Sequence, residues 1–133
     1  MSTLFTKIIQ GEIPCAKLYE DERFFAFLDI RPIHKGHALL IPKREIDYLF
    51  DMPDDLMRDL LITARPIARA LKKHVPCKKI GLMVAGLEVP HCHLHLVPID
   101  DVGDLNFAKA SPAEPEDLEA LAEKVRQTLK MDA

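Results

Sequence analysis

His91-Cys92-His93-Leu94-His95-Leu96-Val97 alternates polar and apolar side chains with strict period two. A β-strand sends successive side chains to opposite faces. This pattern therefore puts three imidazoles on one face and Cys92, Leu94 and Leu96 on the other, against a core. Three of the chain's six histidines fall within this stretch. A strand showing three titratable rings in a row packs poorly unless the rings are used, and two uses present themselves: a metal site, or a proton relay around a nucleophile.

Working outward, Lys78 to Ala85 reads as a neighbouring strand, joined to His91–Pro98 through Gly86-Leu87-Glu88-Val89-Pro90. Before it, Leu56, Leu60, Ala64, Ile67 and Leu71 form one stripe of an amphipathic helix from about Pro53 to His74, with Met57, Leu61 and Ala68 beside it. Pro53 suits the first turn, Pro66 is expected to kink the interior, and Val75-Pro76 ends the helix. Nearer the N-terminus, Ala16 to Glu20 and Arg23 to Asp29 read as a hairpin about Glu20-Asp21-Glu22. The loop Asp29 to Gly36 then leads into a third strand, His37 to Ile41. Thr3 to Gln10 has helical spacing at Leu4, Phe5, Ile8 and Ile9, with Gly11 placed as a terminating glycine. Leu118, Leu121, Ala122, Val125 and Leu129 mark a last helix started by Pro112 or Pro115. The order predicts an α+β fold: a five-stranded, mainly antiparallel sheet with a long helix packed on it plus short N-terminal and C-terminal helices. One domain is expected over residues 1–133, with 112–133 a C-terminal helical extension.

Composition narrows the function. The 133 residues are 48% apolar and 29% charged, ordinary globular values that exclude disordered, collagenous and low-complexity classes. Acidic residues outnumber basic ones, 21 to 18, for a net charge of −3. That balance argues against a nucleic acid polymer as main partner and leaves room for a small anion. The longest apolar runs, Phe24 to Leu28 and Ala38 to Ile41, fall far short of the ~18 to 20 residues of a membrane span. Met1 to Gln10 carries Lys7 within its apolar stretch and no small-residue cleavage site, so no signal peptide is read and a cytoplasmic protein is expected. Cys15, Cys77 and Cys92 are odd in number and widely spaced, as reduced thiols are.

Of the two uses for the histidines, metal fits less well. Alternate strand residues lie ~6.6 Å apart and can share an ion, but the outer two are ~13 Å apart. No further His or Glu follows at a ligand spacing, so no metal or cofactor is expected. A middle imidazole held in one tautomer, with its other nitrogen aimed outward, is instead a nucleophile suited to phosphorus. A protonated flanking histidine or backbone N–H groups would stabilise the phosphate oxygens.

The motif resembles the histidine-triad (HIT) family, whose signature is H-x-H-x-H followed by apolar residues. Three further blocks resemble its Hint-type branch in the same order: Leu4-Phe5-Thr6-Lys7-Ile8-Ile9 with Glu12-Ile13-Pro14, Phe25-Ala26-Phe27-Leu28-Asp29-Ile30-Arg31-Pro32, and Gly36-His37-Ala38-Leu39-Leu40-Ile41-Pro42-Lys43. The resemblance implies that His93 attacks the α-phosphorus of a nucleotide, with His91 and His95 contacting phosphate or leaving group. It implies that His37 bonds into the row and fixes its tautomers, and that Asp29 accepts from the ribose hydroxyls. Leu4, Phe5, Ile8, Phe27 and Ile30 would form a partly exposed slot for the base. The implied reaction is double displacement through a nucleotidyl-histidine. The substrate would be a nucleoside 5′-phosphoramidate or, alternatively, a dinucleoside polyphosphate. A third alternative is a purine-nucleotide-binding or partner-binding module with weak activity. His95, where the transferase branch resembles H-x-H-x-Q, favours hydrolysis, and a purine mononucleotide or nucleotide conjugate and a homodimer are the implied partners.

The chain departs from the Hint-type pattern in three places. Glu88 stands where a Ser usually precedes the motif, and since its carboxylate would repel a phosphate oxygen, either it points away, or it handles a cationic leaving amine, or the substrate differs. Met83-Val84-Ala85-Gly86 is shorter and lacks an Asn, and Thr6-Lys7 occupy the region of the zinc-ligand cysteines of some relatives. His34 and His74 read as solvated surface histidines.

Overall fold

Alternation along the strands sorts the apolar side chains into two clusters, one on each face of a single sheet. The computed structural model describes residues 2–132. Its strands are β1 (Lys17–Glu20), β2 (Phe24–Leu28), β3 (Ala38–Pro42), β4 (Lys79–Met83) and β5 (Leu94–Ile99), in the spatial order β1-β2-β3-β5-β4. Every neighbouring pair is antiparallel. Three α-helices accompany the sheet: α1 (Leu4–Ile9), α2 (Asp54–His74) and α3 (Pro115–Asp132).

On one face, Phe24, Ala26 and Leu28 of β2, Ala38 and Leu40 of β3, and Leu94 and Leu96 of β5 pack with Cys92 under α2 and α3. Leu56, Leu60, Ala64, Ile67 and Leu71 form the buried stripe of α2, and Leu121, Ala122 and Val125 that of α3. On the opposite face, Phe25, Phe27, Leu39 and Ile41 pack with Phe5 and Ile8 of α1. Each such side chain contributes about 1.5–3 kcal/mol when fully buried. The larger cluster therefore anchors the sheet, and the smaller one seats α1 on the face that carries the imidazoles.

Several boundaries differ from the sequence expectation. β5 begins at Leu94, so His91 and His93 precede the strand. The backbone there is bonded elsewhere: His91 N–H donates to the Val89 carbonyl at 2.8 Å and Cys92 N–H to the Ile46 carbonyl at 2.7 Å. β3 runs on to Pro42, opposite Phe24, because a proline at a strand end still presents its carbonyl. α2 continues unbroken as α-helix through Pro66, and Pro53 is its N-cap residue rather than part of its first turn. α3 is 18 residues long, nearly the 21 of α2.

His74 is not a free surface ring. It is half-buried where α3 crosses the end of α2, and its Nε2 lies 2.7 Å from Thr128 Oγ1. Gly36 has φ +90°, and a Cβ there would come within 2.9 Å of Val75 Cγ2. The β2–β3 loop thus lies flat against the end of α2 and delivers His37, buried, to the start of β3. Among the described residues, no helix is long and apolar enough to cross a membrane.

Candidate active site

His93 sits between the end of the 84–93 loop and β5, with its ring edge-on to Phe5 at 4.9 Å between centroids. Its Nδ1 lies 2.7 Å from the His91 carbonyl. A carbonyl only accepts, so Nδ1 carries the proton and Nε2 keeps the lone pair. No buried side-chain nitrogen or oxygen among the described residues lacks a partner. The unpartnered Nε2 of His93 is therefore not fully buried.

His95 faces the same side of the sheet, opposite Leu39 of β3. Its protonation follows from a chain of donors. Ile33 N–H donates to His37 Nδ1 at 3.0 Å, so the His37 proton is on Nε2. That Nε2–H donates to His95 Nδ1 at 2.9 Å, which leaves the His95 proton on its own Nε2. The outward nitrogen of His95 is thus a donor beside the lone pair of His93, the two rings meeting edge-on at 4.9 Å. Burial, reinforced by the neighbouring His37 and His93, pushes the His95 imidazole down to about 3. Burial also lowers His37, against the opposing pull of the Asp29 carboxylate. A protonated flanking histidine is therefore not what this site offers. The positive character comes from a neutral imidazole N–H.

His91 departs from its expected contact with phosphate. Its Nε2 lies 2.7 Å from the Pro42 carbonyl and its Nδ1 2.7 Å from Thr3 Oγ1, so protein groups take both nitrogens. The ring is fully buried, and burial lowers its pKa despite the Pro42 bond and the Glu45 charge. This imidazole fastens the loop before β5 to the end of β3 and to α1.

Asp29 ends the β2 side of the 29–37 loop. Its Oδ1 accepts from Arg31 N–H at 2.9 Å, and its Oδ2 stands 3.7 Å from His37 Nε2. The five residues expected to form a base slot divide. Phe5, Ile8 and Phe27 are core residues, each less than a tenth exposed, whereas Leu4 and Ile30 stand in solvent at 47% and 66% exposure. Phe5 and Phe27 meet edge-on at 5.7 Å, so the aromatic pair forms a floor rather than an open slot. Glu88 is exposed and makes no ion pair among the described residues. His34 is exposed, its Nδ1 2.9 Å from the Lys35 carbonyl.

Asp29, His37 and His95 bring three metal-ligand atoms within 4.8 Å of one another. The donor chain works against ligation here. The lone pair of His37 already accepts from Ile33, its facing nitrogen bears a proton, and the lone pair of His95 accepts that proton. A metal would have to displace both bonds.

Sequence reasoning did not find Thr3, although Thr3 ahead of Leu4 carries an N-cap signal. It also missed Phe107, whose ring is edge-on to His95 at 5.1 Å and which comes from a short 3-10 turn after β5. Nothing in the local pattern marks that residue.

The chain matches the HIT domain over residues 10–102. It is 36% identical to Protein hit of Bacillus subtilis over 137 aligned positions, covering 95% of this chain and 93% of that one. It is 33% identical to the adenosine 5'-monophosphoramidase of Schizosaccharomyces pombe over 133 positions, covering 98% of this chain and all of that protein. Among solved structures, a Hit-like protein from Bartonella henselae superposes with a TM-score of 0.82 at 31% identity, covering 96% of each chain.

Proposed function

This chain belongs to the HIT domain family, and we propose that it hydrolyses nucleoside 5′-phosphoramidates through a covalent nucleotidyl-His93. The observation that carries this reading is the pairing of opposite tautomers on adjacent neutral rings. Nε2 of His93 offers a lone pair and is not fully buried, and the outward Nε2 of His95 bears a proton. A relative named as an adenosine 5'-monophosphoramidase, aligned along almost the whole chain, supports the substrate class.

In the first step His93 Nε2 attacks the α-phosphorus and the P–N bond breaks. The leaving nitrogen takes up a proton from solvent and departs as an amine. His95 Nε2–H donates to the phosphate oxygen or the leaving group as charge develops there. The phosphorylated ring of His93 becomes cationic, and its Nδ1–H bond to the His91 carbonyl stabilises that charge. In the second step water attacks phosphorus and gives up a proton to solvent, the Nε2–P bond breaks with its electron pair returning to Nε2, and the nucleoside monophosphate leaves. Asp29 accepts from the ribose hydroxyls. Phe5, Ile8 and Phe27 underlie the base, with Leu4 and Ile30 at its rim. Glu88, exposed and without a cationic partner among the described residues, favours a leaving amine that carries positive charge.

The same reading makes the protein a homodimer. β4 is an edge strand whose Leu82 is 47% exposed, an edge that a second copy would cover. The free thiols of Cys15, Cys77 and Cys92 support a reducing, cytoplasmic setting.

The test is kcat/KM for an adenosine phosphoramidate against a dinucleoside polyphosphate, with and without chelator. Chelator-insensitive turnover that favours the phosphoramidate supports the proposal. Preference for the polyphosphate reassigns the substrate, and tight nucleotide binding without turnover of either makes the chain a binding module.

A further inference from the structure

Resting on that reading of His93, we propose that Thr3 is a positioning residue: its hydroxyl locks His91 as the Nε2–H tautomer and thereby fixes the carbonyl that orients His93, while Glu45 clamps Thr3 in place.

The assignment follows from what each atom can donate. The Pro42 carbonyl facing His91 Nε2 accepts only, so Nδ1 of the neutral ring is a bare lone pair, 2.7 Å from Thr3 Oγ1. Thr3 must donate its one hydroxyl proton there. The same oxygen accepts from Thr6 N–H at 3.1 Å as the N-cap of α1. Thr6 Oγ1, at 3.3 Å, is a much more distant acceptor for that proton than His91 Nδ1 at 2.7 Å, and the Thr6 hydroxyl itself donates to Glu45 Oε1 at 2.6 Å. That carboxylate oxygen also accepts from Thr3 N–H at 2.8 Å. Glu45, just beyond β3, thus holds the first turn of α1 by one backbone and one side-chain donor.

Two routes lead from this clamp to the reacting nitrogen. One runs through the His91 ring, whose residue supplies the carbonyl that accepts from His93 Nδ1–H. The other runs through Phe5, two residues beyond Thr3, whose ring lies edge-on to both His93 and His91. An apolar side chain at position 3 would fill the same space and leave His91 Nδ1 buried with no donor, so the hydroxyl does what volume cannot.

The experiment compares wild type, Thr3→Val, Thr3→Ser and Glu45→Ala by imidazole 1H–15N NMR and by steady-state kinetics. Wild type and Thr3→Ser are expected to show His91 as a single Nε2–H tautomer. In Thr3→Val that signal is lost or averaged and the His93 Nδ1–H resonance shifts. The variant's kcat drops about tenfold, the size of one lost supporting hydrogen bond, and Thr3→Ser restores it. Glu45→Ala, at an exposed site, is expected to move the same two resonances by a smaller amount, and it keeps the test open if Thr3→Val does not fold. Unchanged His91 and His93 resonances in Thr3→Val, or in Glu45→Ala should the first not fold, overturn the proposal. The spectra need no turnover: a wild type that hydrolyses neither substrate would sink the functional reading while the tautomers still decide the role of Thr3.

Discussion

His37 Nε2 lies 2.9 Å from His95 Nδ1, and the proton between them belongs to His37. It must, because His37 Nδ1 already accepts from the Ile33 backbone. A buried residue 58 positions away in sequence thus dictates which nitrogen of His95 points outward with a proton. Replacing His37 by Ala frees His95 to adopt either tautomer. The expected outcome is a kcat about 10- to 100-fold lower, roughly 1.4 to 2.7 kcal/mol of barrier, with nucleotide Kd by calorimetry nearly unchanged. Full turnover in His37→Ala would mean that the tautomer order is not used.

Acidification should destabilise the fold. His37, His91 and His95 all have folded-state pKa values below the ordinary histidine value, that of His95 reaching about 3. Between that value and about 6.5 the unfolded chain binds more protons, so stability is complete above about pH 6.5 and declines as pH falls toward the folded values. Each fully shifted histidine contributes a slope of up to about 1.4 kcal/mol per pH unit. Urea midpoints from pH 8 to pH 4 check this. A flat profile below about pH 6.5 would contradict the buried, neutral state of these rings.

His91 is a structural tie, and its loss should cost stability first. His91→Ala removes a fully buried ring and its bonds to Pro42 and Thr3, an expected loss of about 2–4 kcal/mol. His34→Ala, at an exposed site, should stay within about 0.5 kcal/mol of wild type. Equal stabilities for the two variants in equilibrium unfolding would argue that His91 is not the fastener described above.

Gly36→Ala tests the path of the loop that carries Asp29 and His37. With φ +90° and Val75 Cγ2 at 2.9 Å from the new Cβ, alanine is strained on both counts, and a loss of about 1–3 kcal/mol is expected. Thermal unfolding reads it directly. A neutral substitution would mean that the loop relaxes away from α2 at little cost.

Most of the architecture was legible in the chain because its signals are periodic. The alternation of Cys92, Leu94 and Leu96 with the histidines identified the core face, and the stripe from Leu56 to Leu71 identified the helix that covers it. Pro66 sits inside one continuous helix, whose apolar stripe stays packed on the sheet past the missing N–H. Side-chain chemistry within the site was less legible because backbone atoms decide it. The carbonyls of His91 and Pro42 and the amide of Ile33 set three tautomers, and a main-chain atom leaves no mark in the residue pattern. The resemblance implied that His91 contacts phosphate or the leaving group, since in a row of three histidines the sequence cannot tell which ring has spent both nitrogens on the protein.

The proposed chemistry turns on the lone pair of His93 Nε2. Intact-protein mass spectrometry after rapid acid-free quenching of an adenosine phosphoramidate reaction should show one nucleotidyl group per chain in wild type. The adduct should map to His93 and be absent from His93→Ala, whose turnover should also be lost while nucleotide binding persists. Wild-type turnover in a clean His93→Ala preparation, or an adduct on any other residue, would contradict it.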